Sequence, residues 1–416
     1  SFQTLSEIYD NKAFSSIALN KTLTFCKKQD KALITKIVYG VLDNDIKLEY
    51  FVSKYTKKFP KGDVLLFLKI GTYCLLELSM PVYAVVNDVA ELSKTSGDKY
   101  VVGFVNATLK NISKTIDSFC DYPAEETERL SVVYSYPLWA VKKLIKDYGF
   151  ETAEKIVSYR TERGFVVRFT KEYDVLTIEN KFGCKATRTP FEDAFLVSGS
   201  LGEPNAGWTV QSLASMAIAR ICAEKLQNGK FLDCCAAPGG KSVYVKQLCP
   251  DSDVVSCDVH PHRVELIKSY ASRMNAVVDA RLLDMTVFNS EFERHFDTVL
   301  CDAPCSGFGV VDSRPDIKLF RESKDISELM KLQYSLLTNC CKYVKAGGYL
   351  IYSTCTVFDN ENGQNIRRFL KEHDDFALDS ISLPQFPPVD GKPYYQFLAY
   401  KDGMQGFYVA VLKRTE

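Results

Sequence analysis

Histidine is scarce: this chain of 416 residues has four (His260, His262, His295, His373), and no two of its cysteines form a Cys-x-x-Cys pair. Zinc sites are built from such pairs and from histidine, so no metal is expected. No apolar run approaches the roughly 20 residues that cross a bilayer, and no membrane role is expected. The segment Ser1–Asp10 lacks the basic-then-apolar pattern of a secretory signal. Net charge is absent too, since 52 Lys and Arg balance 52 Asp and Glu. Bulk charge therefore does not announce a nucleic-acid binder, although a local basic surface would be enough for one. The chain contains no internal repeat and no low-complexity tract.

Cysteine, in contrast, is abundant, at fourteen residues. Cys234, Cys257 and Cys301 lie inside apolar, strand-like runs, where a thiol acts as a small buried hydrophobe. That placement argues for a reducing, cytoplasmic setting rather than a disulfide framework. With 46% hydrophobic and 25% charged residues the chain reads as an ordinary globular protein, and its length implies two or three domains.

Three stretches differ in pattern, and domains of 1–125, 126–200 and 201–416 are expected. The first reads as all-helical: Leu33, Ile34, Ile37, Val38 and Val41 fall at helical spacing, as do Leu65, Leu66, Leu68, Ile70, Tyr73 and Leu76. Residues 1–120 hold 16 Lys, no Arg and 12 Asp or Glu, a balance of +4 that suits either solvated helix faces or contact with phosphates. The acidic run Asp121–Glu128 reads as a linker or helix start. The middle stretch reads as small and α/β, with helices at Pro137–Asp147 and Glu151–Arg160 and strands at Phe165–Thr170 and Asp174–Ile178. From about residue 201, short apolar runs alternate with amphipathic helices, which implies a mostly parallel sheet covered on both faces, an α/β Rossmann-like fold. Strands are expected at Phe231–Cys235, Val254–Val259, Asp279–Asp284, Thr298–Asp302 and Tyr349–Cys355, and a closing hairpin near 394–412.

In such a sheet, ligands bind beyond the carboxyl ends of the strands. The unusual residues fall there. The first strand runs into Cys235, Ala236, Ala237, Pro238, Gly239, Gly240 and Lys241. The next three end at Asp258, Asp284 and Asp302, and Asp302 is followed by Ala-Pro-Cys305-Ser-Gly307. The fifth ends at Cys355. Gly239 and Gly240 would let backbone approach a ligand. Their spacing is neither a dinucleotide fingerprint nor a phosphate loop. Asp258, about 20 residues further on, suits a ribose hydroxyl pair. A nucleoside-bearing cofactor without pyrophosphate fits this set, and S-adenosylmethionine is one. Asp284 would then face its adenine.

Of the cysteines, Cys235, Cys305 and Cys355 stand beside this loop. A thiolate that adds to carbon 6 of a pyrimidine activates carbon 5 as a nucleophile, and a base must later remove the carbon-5 proton. Asp302, three residues before Cys305, is placed to stabilise such an adduct. Lys241 is the cation available to favour a thiolate.

Four motifs carry a resemblance. Leu232-Asp-Cys-Cys-Ala-Ala-Pro-Gly-Gly-Lys241, Asp302-Ala-Pro-Cys-Ser-Gly-Phe-Gly309, Arg314-Pro-Asp-Ile-Lys318 and Tyr352-Ser-Thr-Cys-Thr356, the last followed by Glu361-Asn362, resemble the Sun (Fmu) family of RNA cytosine-5 methyltransferases. Upstream, Val38–Val41, Leu68–Tyr73, Pro81–Asn87 and Gly103–Leu109 resemble the NusB-type helical domain of its ribosomal RNA small-subunit branch. Tyr134-Ser-Tyr-Pro-Leu-Trp139 is similar to the start of that branch's middle domain. The resemblance implies Cys355 as nucleophile and Cys305 as the group that assists release. It assigns Cys235–Lys241, Asp258, Asp284 and Asp302 to cofactor or target base, and Arg263 to support of the cofactor loop. It also implies small-subunit (16S) ribosomal RNA as partner; separately, a monomer is expected.

Three positions depart from the family pattern: Ser212 stands where Asp is usual, Val311-Asp-Ser-Arg314 carries one Arg where two are frequent, and Gln405 precedes Gly406. Two other readings stay open. One is a DNA cytosine-5 methyltransferase, in which the Pro-Cys cysteine is the nucleophile. The other is an RNA-binding protein with an inactive methyltransferase domain.

Overall fold

The computed structural model describes residues 1–115, 121–161 and 164–415. The chain forms two compact units. One is Ser1–Ser158 together with Val311–Ser323, and the other is Tyr159–Val310 with Lys324–Glu416. The boundary between Ser158 and Tyr159 falls inside the stretch 126–200: its helices up to Ser158 lie in the first unit, and its strands and one further helix lie in the second.

The first unit is helical: α1 (Phe2–Asn11), α2 (Ser15–Thr24), α3 (Lys28–Asp43), α4 (Asp45–Tyr55), α5 (Gly62–Leu76), α6 (Val82–Ser93), α7 (Lys99–Thr115), α8 (Glu126–Tyr134), α9 (Leu138–Tyr148) and α10 (Phe150–Ser158). Helix α5 is apolar around its whole circumference, which requires burial on every side, and residues Leu66–Leu75 are all buried. Lys69 lies among them and is met by Asp45 at 2.5 Å and Glu49 at 2.8 Å, without which its charge would be strongly destabilising. The acidic run at 121–128 is a helix start. Glu125 caps α8 by accepting from the amides of Thr127 and Glu128.

The second unit opens with β1 (Phe165–Phe169), α11 (Val175–Phe182), β2 (Lys185–Arg188), β3 (Ala194–Ser198) and β4 (Trp208–Val210). These strands form an antiparallel sheet in the order β2-β3-β1-β4. The strand expected at Asp174–Ile178 is instead helix α11. Asp174 accepts from the Thr177 amide at 2.7 Å as its cap, and Gly183 ends it with φ 64°. A cap and a glycine stop that bracket eight residues outweigh the β-branched composition of the run.

The unit continues through α12 (Leu213–Leu226), β5 (Lys230–Asp233), α13 (Gly240–Leu248), β6 (Asp253–Asp258), α14 (Pro261–Arg273), β7 (Asp279–Leu282) and β8 (Phe296–Asp302). After α15 (Asp316–Phe320), which belongs to the helical unit, come α16 (Ser323–Cys340), β9 (Val344–Thr354), α17 (Gly363–Glu372), β10 (Phe376–Leu378), β11 (Tyr394–Gln396), α18 (Ala399–Asp402) and β12 (Tyr408–Arg414). The large sheet has the order β10-β12-β9-β8-β5-β6-β7. Strands β5 to β9 pair in parallel, and β12 is antiparallel to β9, β10 and β11. The order reverses between β5 and β8, which opens a crevice at the carboxyl ends of those two strands. Cys234, Cys257 and Cys301 pack in the core below it.

Candidate active site

The carboxyl edge of the large sheet collects the singled-out residues because parallel strands all end on one side. Strand β5 leads into the loop Cys235–Gly239, and α13 starts at Gly240. Gly239 has φ 102°, and a β-carbon on it would sit 3.4 Å from the Ile267 backbone. The positive φ favours glycine. The loop is braced by Ala236 N–H donating to the Cys257 carbonyl at 2.9 Å and Gly239 N–H to the Ala236 carbonyl at 2.7 Å. Beneath it lies Asp233, whose carboxylate accepts from the Ser242 hydroxyl at 2.6 Å. Burial pushes the Asp233 carboxyl up to about 7, against the pull of that hydrogen bond. The Cys235 thiol is half-buried, and desolvation raises its pKa well above the ordinary thiol value.

Lys241, in the first turn of α13, donates to Asp302 at the end of β8 over 2.6 Å. Burial disfavours its ammonium, but attraction to Asp302, to Asp233 and to Cys355 prevails, so the lysine stays charged more strongly than usual. The other oxygen of Asp302 accepts from the Ser353 hydroxyl at 2.6 Å. Two residues beyond Ser353, Cys355 places its sulfur 3.2 Å from that of Cys305, and its own backbone N–H donates to the Cys305 sulfur at 3.3 Å. The Cys305 thiol is pushed well above its ordinary pKa, first by the hydrogen bond shared with Cys355, then by burial and by repulsion from Cys355 and Glu361. Lys241, Asp302, Cys305 and Cys355 are therefore joined in one cluster.

Other side chains hold that cluster without touching its centre. Glu361, fully buried, accepts from the Ser306 amide at 2.9 Å, from the Ser306 hydroxyl at 2.6 Å and from Gln333 at 2.9 Å. Thr356, next to Cys355, donates to the same carboxylate at 3.3 Å. Thr354 donates to Asn362 at 2.6 Å, and Asn362 donates back to the Thr356 carbonyl at 3.0 Å. Gly309 donates to the Cys355 carbonyl at 3.0 Å and accepts from Gly406 at 2.8 Å. Buried networks that are this fully satisfied are rigid. The sequence motifs included Glu361 and Asn362 but gave neither a task.

Asp258 and Asp284 stand further along the edge. Asp258, buried at the end of β6, accepts from the His260 amide at 3.0 Å, and its other oxygen lies 4.0 Å from the half-exposed Arg263 guanidinium. A contact that long leaves the carboxylate able to accept from a ribose hydroxyl. Asp284 is exposed and turns one oxygen back to the amide and hydroxyl of Thr286 at 2.9 and 2.6 Å, which lowers its pKa. The glycine cradle, the amides at the start of α13 and the carboxylate of Asp258 form a donor and acceptor set that fits S-adenosylmethionine. Among the described residues no group of His, Cys, Asp or Glu could hold a metal ion.

Reading the sequence missed Gln211 and Arg168. Gln211 donates to the Gly240 carbonyl at 3.1 Å and accepts from Arg168 at 2.8 Å. Arg168 is 1% exposed, also bonds Gln247 at 2.6 Å and stacks over the Tyr244 ring at 4.1 Å. The small sheet thus supports the glycine loop from behind. A charged residue amid the apolar run of β1 was the available signal. Ser212, a departure from the family pattern, caps α12 by accepting from the Ser215 amide at 3.3 Å.

A family model described as 16S rRNA methyltransferase RsmB/F matches residues 221–413, and one described as the NusB family matches residues 1–114. The chain is 32% identical to the probable ribosomal RNA small subunit methyltransferase B of Bacillus subtilis (strain 168), over 99% of this chain and 97% of that protein. It is 30% identical to ribosomal RNA small subunit methyltransferase B of Photorhabdus laumondii, over 90% of each. Among solved structures, PH0851 matches with a TM-score of 0.82 at 21% identity, covering 99% of this chain and 97% of that one. NSun6 from Pyrococcus horikoshii matches with a TM-score of 0.59 at 18% identity, covering 68% and 100%. These structures share the fold. With a NusB-type helical domain, a Rossmann-like sheet and full-length similarity to methyltransferases of the small ribosomal subunit, the chain belongs to the 16S rRNA methyltransferase RsmB/F family.

Proposed function

We propose that this protein methylates carbon 5 of a cytidine in small-subunit ribosomal RNA through a covalent Cys355–cytosine adduct, which Cys305 helps to resolve. The observation that carries the reading is the 3.2 Å approach of the two sulfurs beside the Lys241–Asp302 pair. When bound, S-adenosylmethionine supplies an electrophilic methyl group. Cys235 to Lys241, Asp258, Arg263, Asp284 and Asp302 would hold it, with no metal.

The roles follow from charge. The Cys355 thiolate, favoured by the Lys241 cation, forms a bond to carbon 6 and moves an electron pair towards carbon 5. Asp302, held by Lys241 and Ser353, faces the ring nitrogen and exocyclic amine and stabilises the charge that develops there. Once carbon 5 carries the methyl group its proton must leave. Its loss restores the ring double bond and expels Cys355 as thiolate.

Cys305 is poorly suited to accept that proton at the outset, when its thiol is held neutral mainly by Cys355. Bonded to carbon, the Cys355 sulfur carries no charge. The shared hydrogen bond and the repulsion then disappear, the Cys305 pKa falls, and the thiol can release its proton to solvent, so the thiolate that accepts the carbon-5 proton becomes accessible only after the adduct exists. Separate cysteines for attack and release favour RNA over the DNA-type mechanism, which uses the Pro-Cys cysteine for attack. The lysines of the helical unit contact RNA phosphates, and the target base leaves its stack to reach the cysteines. We place the protein in the cytoplasm as a monomer.

The test is incubation of wild type, Cys305→Ala and Cys355→Ala with small-subunit ribosomal RNA and S-adenosylmethionine, followed by denaturing gels. An adduct that accumulates with Cys305→Ala and is absent with Cys355→Ala supports the assignment. The reverse pattern exchanges the roles. RNA binding with no adduct and no methyl transfer by wild type would make the protein a binder only.

A further inference from the structure

Six residues after Cys305 the chain changes unit. Val310 belongs to the catalytic unit, Val311–Ser323 to the helical unit, and Lys324 to the catalytic unit again. A tether would need only solvated residues, yet this excursion buries two charged ones, Asp316 at 7% and Lys318 at 4% exposure. Charges removed from water persist only where partners are fixed. Asp316 accepts from the hydroxyl of Ser15, itself buried at the start of α2, at 2.5 Å. Lys318 donates to the Asp43 carboxylate at 2.5 Å and to the Asp43 carbonyl at 2.8 Å, and it faces the Tyr136 ring at 5.0 Å. Asp43 is the last residue of α3, so the cation sits at the negative end of that helix. Leu319 and Phe320 pack against the helical core. A shift of one residue would remove all of these contacts together, so the anchor holds the segment in one register.

The near end of the segment is tied to the cysteines. Val310 and Val311 are buried, and Gly309 donates to the carbonyl of Cys355. The chain from Cys305 to Lys318 thus has one end at the two thiols and the other locked into the helical unit. We infer that Lys318 and Asp316 are positioning residues for Cys305, so that the helical unit takes part in adduct release and not only in RNA capture. The inference rests on the assignment of Cys305 to release.

The test compares full-length Lys318→Met, Lys318→Arg, Cys305→Ala and wild type on the same denaturing gels, with RNA affinity measured in parallel. Displacing a catalytic group by about 1 Å costs up to about 100-fold. Lys318→Met should therefore trap at least about three-fold more adduct than wild type and lower turnover about ten-fold, with RNA affinity within about two-fold. Lys318→Arg should restore most of both. Asp43→Asn, which keeps the carbonyl contact, should trap adduct to a smaller degree and guards against a Lys318→Met that fails to fold. If Cys305→Ala traps adduct and neither Lys318→Met nor Asp43→Asn does, the inference is overturned while the release assignment stands. A loss confined to RNA affinity overturns it too. If Cys305→Ala itself traps nothing, the release assignment fails and the inference falls with it.

Discussion

Both carboxylate oxygens of Glu361 are committed to Ser306, one to its amide at 2.9 Å and one to its hydroxyl at 2.6 Å. Ser306 follows Cys305, and Thr356, which donates to the same carboxylate, follows Cys355. A single buried side chain therefore ties together the two loops that carry the thiols. Glu361→Ala should cost about 2–4 kcal/mol in urea unfolding, because it leaves buried donors unpaired. It should also slow single-turnover methyl transfer by about 100-fold through misplacement of the sulfurs. Glu361→Gln should recover part of both. Loss of stability without loss of rate would show that the tie does not set the cysteine geometry.

Lys241 donates to the carboxylate of Asp302, and attraction to Cys355 helps to hold it charged. Lys241→Met removes the cation and keeps an unbranched side chain only one atom shorter. Single-turnover methyl transfer should fall by at least about 100-fold, the usual scale for a charge-stabilising group in a dry site. Alkylation of Cys355 by iodoacetamide at neutral pH should slow in parallel. An unchanged alkylation rate would remove Lys241 from activation of the thiol.

Asp258 has an oxygen whose nearest charged partner is 4.0 Å away. If that oxygen accepts from the ribose of the cofactor, Asp258→Asn should weaken S-adenosylhomocysteine binding about 10- to 100-fold in calorimetry, the worth of a hydrogen bond to a charged group. RNA affinity should not move. Equal cofactor affinity in the two proteins would place the ribose elsewhere.

Asp233 makes stability depend on pH. Burial holds its carboxyl near 7 in the folded protein, against about 4 when unfolded. Between those values the folded state binds more protons, so stability falls as pH rises from about 4 to about 7. Three units correspond to at most about 4 kcal/mol. Asp233→Asn should flatten this slope, as read from urea midpoints across the range. A slope unaltered by the substitution would mean that another group titrates.

A β-carbon on Gly309 would lie 1.6 Å from the Gly406 carbonyl oxygen and 2.9 Å from that of Cys355. Gly309→Ala should destabilise the protein by at least about 2 kcal/mol, because backbone cannot yield as a side-chain tip can. Its thermal midpoint, compared with that of an alanine at the open position Gly103, tests the claim.

Much of the site could be read before any coordinates. The glycine loop, Asp258, Asp302, Cys305 and Cys355 belong to short contiguous motifs at strand ends, and parallel strands bring such ends to one edge. The resemblance added roles to those residues. The reading failed at Asp174–Ile178, where β-branched composition outweighed an Asp cap and a Gly stop that act on the same residues. It also passed over the supports of the site. Arg168 and Gln211 are 43 residues apart, Ser306 and Glu361 55, and Lys318 and Asp43 275.

The order of residues was enough to establish the layered α/β unit and the helical unit and to single out the residues at the strand ends, because periodicity, caps and local motifs are properties of neighbours along the chain. Only folding brought Cys305 within 3.2 Å of Cys355, raised Asp233, enclosed Glu361 and set Lys318 among helices far away in sequence. Those outcomes depend on desolvation and on contacts between distant segments, and neither quantity exists until the chain has packed.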